Sequence, residues 1–219
     1  MIRKFVDRSS ELNFPEDSYK KDGLQVVVIY GRRRVGKTEL IKRFIEDKDN
    51  TIYFLADQRG TEKNLERFTR AVQTWFSLPP LKIESFEDVF KIIAGRSPKM
   101  VVVIDEFSYL IEEDPALASV FQLIIDEVLK ETNAFLILCG SSISIMEKGV
   151  LSYKSPLYGR KTGQIKLKPV EFRDLSEFFP DYSIEQLIEA YAVLGGVPAY
   201  LSLFDHRIIS LKTSGAHFS

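Results

Sequence analysis

The first chemical signal in the chain is Gly31-Arg32-Arg33-Arg34-Val35-Gly36-Lys37-Thr38, which fits the spacing G-x-x-x-x-G-K-T. Glycines at these two positions let the backbone turn so that its N–H groups converge on a polyphosphate. Lys37 then reaches the β and γ phosphates, and the Thr38 hydroxyl supplies an oxygen to Mg²⁺. An apolar run, VVVIY at 26–30, leads into the bend, and Glu39 and Leu40 follow it as an amphipathic segment begins. A helix starting there points its positive end at the anion. The residue types therefore call for a nucleoside triphosphate bound by residues 31 to 39. Arg32, Arg33 and Arg34 exceed what the pattern needs. They are solvated loop charges, contacts to a neighbouring segment or subunit, or direct nucleotide contacts.

The complementary half of such a site is MVVVIDEFSYL at 100–110, an apolar strand ending in two acids. Asp105 is placed to hold Mg²⁺ and Glu106 to polarise the attacking water. Further along, Ser141 or Ser142 in CGSSISIM lies where a hydroxyl feels the γ phosphate, or else caps a helix. Arg160 in PLYGRKTG is the candidate transition-state cation, in cis or in trans, or an ordinary surface arginine.

Strands and helices must hold these groups. Continuous Val, Ile and Leu runs at 26–30, 52–55, 101–104 and 135–138 read as strands covered on both faces, and the alternating 164–170 reads as an edge strand. Between them fall helical stripes: Leu40, Ile41, Phe44 and Ile45; Leu65, Phe68, Val72, Trp75 and Phe76; Phe86, Val89, Phe90 and Ile93; Leu117, Val120, Phe121, Ile124 and Val128. Ser85 with Asp88 and Ser183 with Gln186 mark helix starts. The run at 52–55 lies between the phosphate loop and the acidic strand. That order sets the acidic strand away from the first strand, as in the P-loop branch with a catalytic glutamate. The expected fold is an α/β P-loop NTPase, three layers (α/β/α) on a mostly parallel sheet, spanning 1–168. From 169 to 219 the pattern turns to helices without strands, a short lid-like segment.

Thirty basic and thirty-one acidic residues give a net charge of -1, so no global field draws the chain to nucleic acid. Cys139, the single cysteine, reads as a small core residue. No apolar run approaches the about 18 residues of a membrane span, and a cytoplasmic location without membrane contact is expected.

The phrases FVDRSSEL, YGRRRVGKTELI, IYFLADQ, VVVIDEFSYL, LILCGSSISIM, SPLYGR and YAVLGGVPAYL occur in this order. Together they resemble the archaeal-type ATPase family, of the STAND branch of AAA+-related ATPases. The resemblance implies ATP and Mg²⁺ as ligands, with slow hydrolysis used as a switch. It sets the segment holding Phe5, Val6 and Arg8 against the adenine, and makes Gly195-Gly196-Val197-Pro198 the element by which a helical module senses nucleotide. Such a Pro198 is also an ordinary proline at the start of a helix. The chain departs from the family at Ser9 and Ser10, where an acidic residue is usual, and at Pro15, which predicts a broken helix. The resemblance implies a continuation into a winged-helix module and often a nuclease-like domain, with DNA a candidate partner of that missing part. The ending FDHRIISLKTSGAHFS therefore reads as truncated or frameshifted, and self-association stays open. A non-hydrolysing ATP-binding module and a DNA-associated scaffold are the rival readings.

Overall fold

The computed structural model describes residues 8–80, 82–97 and 99–204. They fall into two compact units: a larger one of residues 10–33 and 37–167, and a smaller one of residues up to 9, 34–36 and from 168 onward.

The larger unit is built on five strands, β1 (Gln25–Tyr30), β2 (Thr51–Leu55), β3 (Val101–Asp105), β4 (Phe135–Gly140) and β5 (Gly163–Lys166), in the order β2-β3-β4-β1-β5. All four pairings are parallel. β4 thus separates the acidic strand from the strand that feeds the phosphate loop. Every residue of β1, β3 and β4 is buried, as their unbroken Val, Ile and Leu runs require.

β2 differs from the expectation of a strand covered on both faces. Ile52 and Phe54 are buried, but Thr51 and Tyr53 are half-buried and Leu55 is exposed. It is the outermost strand, with a neighbour on one side only. β5 is the other edge and is shorter than the expected 164–170. Leu167 still donates its N–H to the Tyr30 carbonyl at 2.7 Å, but Pro169 has no N–H to offer.

Helices cover both faces: α1 (Ser9–Tyr19), α2 (Lys37–Ile45), α3 (Thr61–Trp75), α4 (Phe86–Arg96), α5 (Phe107–Glu113), α6 (Leu117–Leu123) and α7 (Ile143–Met146). α6 and α7 each run on into a wider π-helical stretch, Ile124–Leu129 and Glu147–Leu151. On one face the stripes of α3, α4 and α6 bring Phe68, Phe86, Phe90 and Phe121 together, with Phe107 of α5 only 4.8 Å from Phe121 between ring centroids. On the other face Phe44 of α2 lies 5.3 Å from Phe135 of β4, and Tyr19 of α1 meets the same ring edge-on at 5.6 Å. Ser85 accepts the Asp88 N–H at the start of α4, as its spacing predicted.

Pro15 corrects the sequence reading, because it sits inside α1 instead of breaking it. The lost hydrogen bond is outweighed by anchoring: Pro15 is buried, Tyr19 packs on two rings, and Glu16 pairs with Lys48 at 3.0 Å.

In the smaller unit, residues after 168 form α8 (Leu175–Phe178), α9 (Ile184–Leu194) and α10 (Pro198–Leu201), preceded by a single 3-10 turn. Leu175, Leu187, Ala190 and Leu201 are its core, with Phe179 stacked on Tyr182 at 4.6 Å. Ser183 and Gln186 close a reciprocal capping box on α9. Gly195 ends that helix at φ 59°, and Gly196 follows at φ 66° with no room for a methyl group. A Cβ there would lie 2.2 Å from the Val170 carbonyl oxygen. Pro198 takes the first position of α10.

Candidate nucleotide-binding site

The carboxyl ends of β1, β3 and β4 bring the chemical groups of the larger unit to one end of the sheet, where parallel α/β folds place their ligands. β1 ends at Tyr30 and the chain enters the bend at Gly31. A Cβ on Gly31 would sit 2.3 Å from the Leu167 carbonyl oxygen, so this position admits no side chain. Gly36 turns the bend back with φ 98°, a conformation open to glycine, and α2 begins at Lys37. Lys37 is buried, and its ammonium donates to the carbonyl oxygens of Gly31 and Arg32, each at 2.9 Å. The cation therefore stands at the mouth of its own loop. Glu39, half-buried, lies in the first turn of α2.

One hydrogen bond ties the loop to the acidic strand: Thr38 Oγ1 donates to Asp105 Oδ2 at 2.8 Å. The same carboxylate oxygen accepts the Tyr53 hydroxyl at 2.6 Å, and Asp105 Oδ1 accepts the Glu106 N–H at 2.9 Å. Burial, then the hydrogen bond and charge of Asp105, push the Tyr53 phenol far above its ordinary range, so it remains a donor. Cys139 is fully buried in β4, and desolvation followed by the charge of Asp105 pushes its thiol up, in keeping with a core residue.

Glu106 has φ 57°, a left-handed conformation that costs a non-glycine residue about 1–2 kcal/mol. Its Oε2 is held by the Ser141 hydroxyl at 2.7 Å, the Ser141 N–H at 3.1 Å and, weakly, the Ser108 hydroxyl at 3.4 Å. Of the two candidate serines, Ser141 meets the carboxylate, while Ser142 stands at the start of α7 with no side-chain bond to it.

Lys37, Thr38, Asp105, Glu106 and Ser141 are thus assembled, whereas Arg160 is not. It precedes β5, whose Gly163 is level with Val27, so Arg160 belongs to the amino end of the sheet. There its guanidinium grips Asp126 through Nε at 2.9 Å and Nη2 at 2.8 Å. This corrects the cis alternative for Arg160, because strand register puts it a sheet's length from the loop.

Arg33 donates to the Tyr109 hydroxyl at 2.7 Å, a contact between segments of the larger unit. Within the smaller unit Arg34, at φ 67°, donates to the Tyr200 hydroxyl at 2.8 Å and lies over its ring. Arg32 is exposed, and Val35 is fully buried. The Arg8 guanidinium is buried and donates to the carbonyl oxygens of Val35 at 2.9 Å and Lys168 at 2.8 Å. Phe5 and Val6 lie outside the described residues. Sequence reasoning missed Tyr53, Tyr109 and Tyr200. The signal for Tyr53 was the one hydroxyl within the apolar run at 52–55.

Among the described residues no group of three or more His, Cys, Asp or Glu side chains could form a metal cage. Mg²⁺ bound with a nucleotide needs less, since phosphates and waters fill most of its octahedron. A hydroxyl and a carboxylate in mutual contact at the end of the phosphate loop are hard oxygen donors of the fitting kind.

A family described as an ATPase domain predominantly from Archaea matches residues 5–204. An uncharacterized protein of Methanocaldococcus jannaschii is 42% identical over 197 residues, which is 90% of this chain and 43% of that protein, so the chain spans less than half of this relative's length. A Walker-type ATPase of Pyrococcus abyssi superposes with a TM-score of 0.66 at 24% identity, over 90% of this chain and 66% of that one. Cdc6p of Pyrobaculum aerophilum superposes with a TM-score of 0.67 at 15% identity, over 97% and 64%. At these identities the solved structures speak to the fold.

Proposed function

The chain belongs to the family of ATPase domains found predominantly in Archaea, and from that premise we propose that it binds ATP with Mg²⁺ and hydrolyses it slowly, as a nucleotide switch. The observation that carries this reading is the 2.8 Å bond from Thr38 to Asp105, which joins the phosphate loop to the acidic strand. Loop N–H groups and the α2 amino end receive the phosphates, and Lys37 exchanges its two carbonyl partners for phosphate oxygens. Thr38 and Asp105 would hold Mg²⁺, which when bound neutralises charge building on the β and γ phosphate oxygens. Glu106 takes the attacking water's proton on a carboxylate that Ser141 orients through Oε2. In this scheme Arg160 acts on a nucleotide held by another copy, and Pro198 reports the bound state from the smaller unit.

A second reading, an ATP-binding module that does not hydrolyse, is favoured by the same contacts of Ser141 on Glu106. Glu106→Gln separates the two. Calorimetry should give unchanged ATP affinity, while phosphate release should fall about 100-fold or more. Unchanged release would remove Glu106 from the reaction, and a parent protein without turnover would leave the second reading. The same assay with and without duplex DNA tests the scaffold reading, which requires stimulation.

A further inference from the structure

Tyr53 stands on the edge strand β2, two residues before Leu55, the position level with Asp105. Its register partner is Val103, so Tyr53 and Asp105 project from the same face of the sheet, the face that α2 covers. Half-buried there, the phenol reaches toward the carboxyl end of β3 and meets Asp105 Oδ2 at 2.6 Å. The carboxylate is held from three sides, by Thr38, Tyr53 and the Glu106 N–H. Thr38 stands at the end of the nucleotide loop, and the Glu106 N–H comes from a turn at φ 57°. Tyr53 holds Asp105 from a strand paired along its whole length with β3, and the Cys139 thiol of β4 meets the same carboxylate from the other side.

We propose that Tyr53 is a positioning residue for the ATPase site: its hydroxyl fixes the Asp105 carboxylate in the orientation that receives a Mg²⁺-nucleotide. The inference rests on the function proposed above. Removing a group that orients a metal-binding carboxylate typically costs about 10–100-fold in metal affinity.

Tyr53→Phe keeps the ring and removes one oxygen. With a non-hydrolysable ATP analogue at saturation, Mn²⁺ binding read by electron paramagnetic resonance should weaken about tenfold or more in the variant. Analogue affinity measured in EDTA should not change, because the phosphates still meet Lys37 and the loop. That split between metal-dependent and metal-free binding is one that a merely structural tyrosine would not produce. Unchanged Mn²⁺ affinity in Tyr53→Phe overturns the inference and leaves the site reading intact. Loss of analogue affinity in EDTA also overturns it, in favour of general disruption. A parent protein that binds neither analogue nor Mn²⁺ overturns the site reading together with the inference.

Discussion

Lys37 is the residue whose removal has the most legible consequence. It is 5% exposed and bonded to two loop carbonyls, so a phosphate arriving at the loop meets a cation already oriented and largely stripped of water. Lys37→Ala should weaken ATP binding by about 2–5 kcal/mol, roughly 30-fold and upward, the usual loss when one partner of a buried charge pair is truncated. Calorimetry checks it, and an unaltered dissociation constant would put the phosphates elsewhere. Lys37, Thr38, Asp105 and Glu106 could be picked out from the chain alone because each lies in a short local pattern. Tyr53 could not, since its meaning depends on β2 lying beside β3, a pairing across about 50 residues that no local pattern records. Arg160 looked suitable by type, but only strand register reveals which end of the sheet it occupies.

At the level of elements, the apolar runs and helical stripes were readable because burial imposes a period on sequence. The aromatic layer they create is interdependent: Phe121 touches Phe86, Phe90 and Phe107 with ring centroids 5.8, 5.8 and 4.8 Å away. Phe121→Ala should therefore destabilise the larger unit by about 3–5 kcal/mol, read as a fall in the urea midpoint. A loss below about 1 kcal/mol would mean that the layer collapses into the gap. α5 left no such trace in the sequence, because its seven residues follow the acidic pair directly and give too few turns for a stripe. Pro15 misled for the opposite reason. A local rule predicted a break, and the packing of Tyr19 with the Glu16–Lys48 pair overrode it.

For the molecule as a whole, ATP that binds only the folded larger unit should raise its melting temperature by mass action. At 100 times the dissociation constant the gain is about 2.7 kcal/mol, or roughly 5 to 10 °C for a unit of this size. Differential scanning calorimetry with ATP and Mg²⁺, and again with EDTA, should separate the nucleotide contribution from the metal's. An identical midpoint without ATP, with ATP and Mg²⁺, and with ATP and EDTA would contradict the proposed site. The sheet order has a further effect, felt while the protein is being made. β1 leads into the phosphate loop, yet its neighbours are β4 and β5, with Gln25 waiting for Phe135 and Val27 for Gly163. A growing polypeptide has therefore already extruded its ligand loop long before the ribosome delivers the strands that hold it. On the proposed function, nucleotide is captured only after most of the larger unit has emerged, and until then the VVVIY segment lacks the strands that bury it.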